Sequence, residues 1–274
     1  MAAAATPCYS EGNGSNKAFE VTKGVRVMDM TRKNTFMELW AKYFPGAELP
    51  ITFYYWADAK RAEPAPPAEA RQCFIASLGA VRKGESLCFD IGAVGCFGGK
   101  RYLGFSDVLM PNFEYFLSCG IEGKLEGERY KKTPEIVGQM MKNAPTLKAP
   151  APYVVMKRWD KLEPHDEPEV VIFLAPPDVL SGLVVLAGFD ESDVNAVITP
   201  FCAGCGSIAL FPYLEKDKER PRSVVGMFDV SARPWVQRNL LSFATPMKKF
   251  VRMIDNMPES FLTTHSWEKV RSRM

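Results

Sequence analysis

The residues best suited to chemistry in this 274-residue sequence are thiols. Cys202-Ala-Gly-Cys205-Gly206 sets two of them two residues apart, with a glycine between. Such spacing lets both sulfurs turn toward one metal or toward each other. A redox or nucleophilic pair wants the motif at the start of a helix after a strand, where the helix dipole acidifies the first thiol. A zinc ribbon needs a second C-x-x-C, and the sequence has none. A lone C-x-x-C also arises by chance in apolar sequence, so two packed cysteines remain the plain alternative.

The second feature is Gly95-Cys96-Phe-Gly98-Gly99-Lys-Arg-Tyr-Leu-Gly104. Backbone N–H groups at Gly98 and Gly99 can converge on a bound sulfur, cluster or anion, and Lys100 and Arg101 add positive charge. The spacing matches neither a P-loop nor a dinucleotide fingerprint. A tight glycine turn around a buried cysteine competes with this reading. Cys73, after a proline-marked loop, reads alone as a core cysteine; Cys88 and Cys119 read as packing residues and Cys8 as inert. The two histidines, His165 and His265, sit in polar surroundings, which leaves no triad or three-histidine zinc site to build. Arg233, after a strand, could clamp a carboxylate or make an ordinary loop salt bridge.

These residues need elements to hold them. Phe36, Leu39, Trp40 and Tyr43 recur at helical spacing before Pro45-Gly46, and Ile51–Trp56 is aromatic and β-branched like a strand. A helix is expected over 68–81, carrying Cys73 on one side, then a strand over 86–91. Five glycines make 92–104 a turn rather than a regular element. Helices are expected over 107–118 and 134–142, the second capped by Thr133 with Pro134 in its first turn. Strands follow at 153–159 and 170–174, a helix at 178–187, and strands at 194–199 and 224–228. A last helix opens at Thr245-Pro246 and runs to about Asn256. This alternation predicts an α/β or α+β fold, with helices packed on mixed β-sheet layers. Residues 1–24 read as a flexible arm, 25–258 as one domain whose two lobes would meet near 145–152, and 259–274 as a tail.

Composition narrows the function classes. The 34 basic and 32 acidic side chains nearly balance, which argues against a nucleic-acid binder. Pro176, Pro177 and Asp178 interrupt the longest apolar stretch, so no membrane span is expected, and the start lacks the pattern of a secretion signal. The seven cysteines form an odd set expected to stay reduced in a cytoplasmic protein, as core filler, metal ligands or nucleophiles.

The pattern as a whole resembles the domain-of-unknown-function 169 family, over about residues 35–255. Leu49-Pro-Ile-Thr-Phe-Tyr54 is similar to its opening proline-plus-strand element. Cys73 through Gly84 and Gly95 through Gly104 are similar to its cysteine helix and C-x-G-G loop. Val170–Pro176, a following helix, Cys202, Arg233 and Thr245-Pro246 resemble its second half. The resemblance implies that Cys73, Cys96 and Cys202 act as a set, with Cys205 less clearly a member. Thiolates from separated loops among glycines suit a 4Fe–4S cluster, with Cys73, Cys96, Cys202 and Cys205 as the expected ligands. With three ligands only, one iron would stay open to a small molecule whose carboxylate Arg233 could hold. An iron–sulfur oxidoreductase or lyase, with a small-molecule ligand or electron carrier as partner, is the first expectation. A cluster-free thiol enzyme using Cys202 and Cys205, or a binding module with structural cysteines, are the alternatives.

Overall fold

The computed structural model describes residues 28–274; the expected arm at 1–24, with Cys8, lies outside them. Eight strands form one sheet: β1 Ile51–Trp56, β2 Glu63–Pro64, β3 Leu87–Phe89, β4 Tyr153–Arg158, β5 Val170–Ala175, β6 Val197–Ile198, β7 Ser223–Gly226 and β8 Leu241–Pro246. Their order is β2-β3-β4-β1-β5-β8-β7-β6. All pairings are antiparallel except those of the two-residue edge strands, β2 with β3 and β6 with β7. The helices are α1 Met30–Tyr43, α2 Phe74–Arg82, α3 Phe97–Tyr102, α4 Phe113–Phe116, α5 Pro134–Asn143, α6 Pro177–Ala187, α7 Phe211–Glu215, α8 Met247–Asn256 and α9 His265–Arg271. A mixed α/β fold results, as expected.

Strand alternation sorts the core into two layers. Ile51 and Phe53 of β1, Val154 and Met156 of β4, and Ile172 of β5 face one side, against Phe74, Leu78 and Val81 of α2. Val171 and Phe173 of β5 and Phe243 of β8 face the other, against Phe36 and Trp40 of α1, Leu183 of α6 and Phe250 of α8. β5 is buried along its whole length because both faces are covered. The thiol layer and the aromatic layer are thus separated by the sheet.

Several expected elements change extent. Helix α2 begins only at Phe74, so Cys73 caps it rather than riding on its side. The segment 92–104 is partly regular: α3 forms within it, with Cys96 as its cap. Of 107–118 only α4 is helical. Strand β8 absorbs Thr245-Pro246, and α8 starts after them. The 259–274 segment carries α9, whose Trp267 is buried in the aromatic layer. Because β1, from before residues 145–152, pairs with β4 and β5, from after them, one sheet spans both supposed lobes.

Candidate functional site

Three segments bring four thiols to one end of the α2 layer. Cys73 stands at the cap position of α2, half-buried. Burial pushes its thiol up, against a weaker downward pull from the neighbouring Ile75 and Ala76 N–H groups; Cys96 and Asp229 raise it further. Cys96 caps α3, and its sulfur accepts the Gly99 N–H at 3.2 Å. Cys205 is buried at the head of a π-helical turn over Gly206–Leu210. Single π turns recur at functional sites, because the extra residue redirects the backbone.

Close backbone approach locks these segments together. A Cβ on Gly99 would lie 2.7 Å from Val94 Cγ1 and 3.0 Å from both Cys96 Sγ and Phe74 Cβ, so glycine lets α3 press onto α2. A Cβ on Gly204 would lie 2.8 Å from Met227 Sδ and 3.4 Å from Ile75 Cγ1, which brings the C-x-x-C loop against α2 and the strand end after β7. On Gly206 it would strike the Tyr102 ring at 2.9 Å. Gly98 differs: its Cβ would meet only Cys205 Sγ, at 3.9 Å. A single carbon therefore fits on the Gly98 side, in van der Waals contact with the Cys205 sulfur.

Burial keeps these thiols protonated. Burial pushes the Cys202 thiol up to about 12, and Asp229 adds to it. Cys205 is driven well above its ordinary value by burial, then by Cys96, Cys73, Asp229 and Cys202. Burial also raises the Tyr102 phenol, which faces Cys205 and Cys202. Thiols in this state are poor nucleophiles, but a thiophilic cation that displaces their protons would bind them as thiolates. The Asp229 carboxylate accepts the Gly204 N–H at 3.2 Å, inside the C-x-x-C loop. Tyr130 and Ser231 hydroxyls and the Ser231 N–H hold its other oxygen, at 3.3, 2.8 and 3.1 Å. Met227, two residues before Asp229, has φ 68°, a left-handed conformation that a residue with a side chain adopts only under local constraint.

The sequence pointed to most of these residues and missed some. Cys73, Cys96, Cys202 and Cys205 come from segments that pack together, and Gly98 and Gly99 lie on the helix between Cys96 and the Cys205 sulfur. Arg233 does not face it as a free guanidinium: it donates to the carbonyls of Leu240 at 2.5 Å, Arg238 at 2.8 Å and Gln237 at 3.4 Å, stapling its own loop. Cys88 packs with Tyr54 and Val155 on the far side of the sheet, and Cys119 is exposed. Asp229, Tyr102 and Tyr130 were not anticipated. Phe228-Asp-Val-Ser231 reads locally as a side-chain-capped turn, and nothing in that pattern ties it to distant cysteines.

The described cysteines are free thiols. Among the described residues no three of their sulfurs lie within 4.8 Å of one another. A tetrahedral zinc with bonds of about 2.3 Å would hold its sulfurs closer than that, whereas a cubane spreads them over separate irons. Among the described residues, one carboxylate–histidine group converges, Glu163, His165 and Asp166, and it already holds the Lys157 ammonium, 3.0 Å from both Glu163 and Asp166. No helix among the described residues is long and apolar enough to cross a membrane. No curated protein and no solved structure matches the chain. The model of the DUF169 family, described as uncharacterised ArCR, matches residues 48–256, and the chain belongs to that family.

Proposed function

We propose that Cys73, Cys96, Cys202 and Cys205 hold an iron–sulfur cluster of the 4Fe–4S type and that the protein works in redox chemistry at that centre. The observation that carries this reading is the convergence of four buried or half-buried thiols from three separate segments. Their surroundings fit the group. The Gly99 N–H bonds to the Cys96 sulfur, as backbone amides do around cluster thiolates, and Gly98 sets no side chain between α3 and the Cys205 sulfur. The sulfurs are also too widely spaced for a single tetrahedral ion. When bound, the cluster would supply one-electron exchange.

The chain's own residues set what reaches the site. Arg233 is engaged with its own loop, and the charged side chain beside the sulfurs is Asp229. This favours electron transfer over capture of an anionic small molecule. Phe97, Phe201 and Phe228 are exposed next to Cys96, Cys202 and Asp229, which gives an electron carrier an apolar surface close to the thiols. The cluster-free pair of Cys202 and Cys205 is disfavoured by burial, which holds both thiols protonated at neutral pH.

Anaerobic purification followed by iron and sulfide analysis tests the proposal. About four of each per chain are expected, with a brown colour lost in Cys96→Ala and Cys205→Ala. A colourless protein without iron or sulfide, before and after anaerobic reconstitution, overturns it.

A further inference from the structure

Asp229 accepts a backbone N–H with each of its two carboxylate oxygens, and so sets a carboxylate beside the C-x-x-C loop. One of its oxygens receives the Gly204 N–H at 3.2 Å, from the residue just before Cys205. The other is fixed by the Ser231 N–H at 3.1 Å, the Ser231 hydroxyl at 2.8 Å and the Tyr130 hydroxyl at 3.3 Å. Tyr130 is itself anchored, since its oxygen accepts the Ser231 N–H at 3.0 Å. Its ring also stands 6.5 Å from that of Phe201, the neighbour of Cys202. Ala232, on the same turn, lies 3.0 Å from the position of a Gly204 Cβ, so carboxylate and C-x-x-C loop cannot drift apart independently.

We propose that Asp229 is a positioning residue of this site: it ties down the C-x-x-C loop through Gly204 and keeps a negative charge beside the sulfurs, so that a cluster bound there has a low reduction potential. The inference rests on the cluster reading. A nearby negative charge opposes arrival of an electron, because the reduced cluster carries one more negative charge in a poorly screened environment. Tyr130 and Ser231 orient the carboxylate without contributing charge.

Anaerobic potentiometric titration of the cluster signal in wild type, Asp229→Asn and Asp229→Glu tests the inference. Asparagine keeps an oxygen for the Gly204 N–H and removes the charge, while its amide NH2 replaces the oxygen that accepts the Ser231 N–H. Its midpoint should rise by at least tenfold in the reduction equilibrium, 59 mV for one electron, while Asp229→Glu stays near wild type. Should Asp229→Asn fail to fold, Val230→Lys decides: Val230 is 66% exposed, and a lysine there sets a positive charge beside Asp229 without touching its hydrogen bonds. It should move the midpoint in the same direction. A loaded Asp229→Asn, or failing that a loaded Val230→Lys, with the wild-type midpoint overturns the role of Asp229. Absence of a cluster from the wild type overturns the cluster reading instead.

Discussion

At the scale of single residues, the glycines of the Cys96 loop separate packing from site chemistry. Gly99 is hemmed in by Val94, Cys96 and Phe74, so Gly99→Ala should overpack the α2–α3 contact and lower stability by about 1–3 kcal/mol in urea unfolding. A Cβ at Gly98 meets only the Cys205 sulfur, at contact distance, so Gly98→Ala should leave the iron-free protein close to wild type in stability but reduce iron retention after reconstitution. Equal iron content in wild type and Gly98→Ala would show that the Gly98 side of Cys205 is not used. Thiol acidity gives a second residue-scale expectation. Burial pushes Cys202 up to about 12, so in the iron-free protein its alkylation should climb about tenfold per pH unit across roughly pH 7–10 without a plateau. Among the described cysteines, exposed Cys119 should be modified first, as mass spectrometry of the peptides would register. A plateau for Cys202 below pH 8 would restore the nucleophilic pair.

At the scale of elements, α9 carries the clearest separable contribution. Trp267 packs edge-on to Phe44 and Phe261, its indole N–H donates to the Tyr43 carbonyl at 3.0 Å, and its ring closes against Gly182 of α6. Trp267→Ala should therefore cost about 3–5 kcal/mol in urea unfolding. Iron content per folded chain should not change, because α9 lies across the sheet from the thiols. Sequence patterning showed the elements with strong local signals: α1 before Pro45-Gly46, β1 with its aromatic run, and α5 with Thr133 and Pro134 at its start. It failed where tertiary contacts overrule local preference. β8 hides because Ser242 and Thr245 interrupt its apolar run, and both are buried polar groups partnered by hydroxyls, Ser207 at 3.3 Å and Ser223 at 2.9 Å. The α3 helix hides behind Gly98 and Gly99, poor helix formers tolerated because the backbones of α2 and α3 must approach closely. The cysteines were legible by type and spacing; Asp229 was not, since only the folded turn after β7 carries it to Gly204.

At the scale of the whole molecule, the order of strands decides how the chain unfolds. Pro145–Pro152 has the composition of an internal boundary, and two lobes meeting there would lose structure separately. The sheet argues otherwise. β1 lies between β4 and β5, so the first part of the chain finds both partners of its central strand in the second part. Leu147, Ala149 and Ala151 pack on the thiol-side core rather than forming a free linker, and the Ala149 N–H donates to the Gly104 carbonyl at 2.9 Å. The site repeats the same logic, drawing Cys73 and Cys96 from one side of the segment and Cys202, Cys205 and Asp229 from the other. Loss of either half would expose the apolar faces of β1 and dismantle the thiol set at once. Urea unfolding of the iron-free protein should therefore give a single transition, with the same midpoint by far-UV circular dichroism and by fluorescence of the tryptophans buried in the aromatic layer. Alkylation of half-buried Cys96 and buried Cys205 should accelerate over that same range, since opening the shared sheet uncovers both. Two resolved transitions, with Cys96 and Cys205 exposed in different ones, would mean that each half holds together alone and that the site is assembled by docking two lobes.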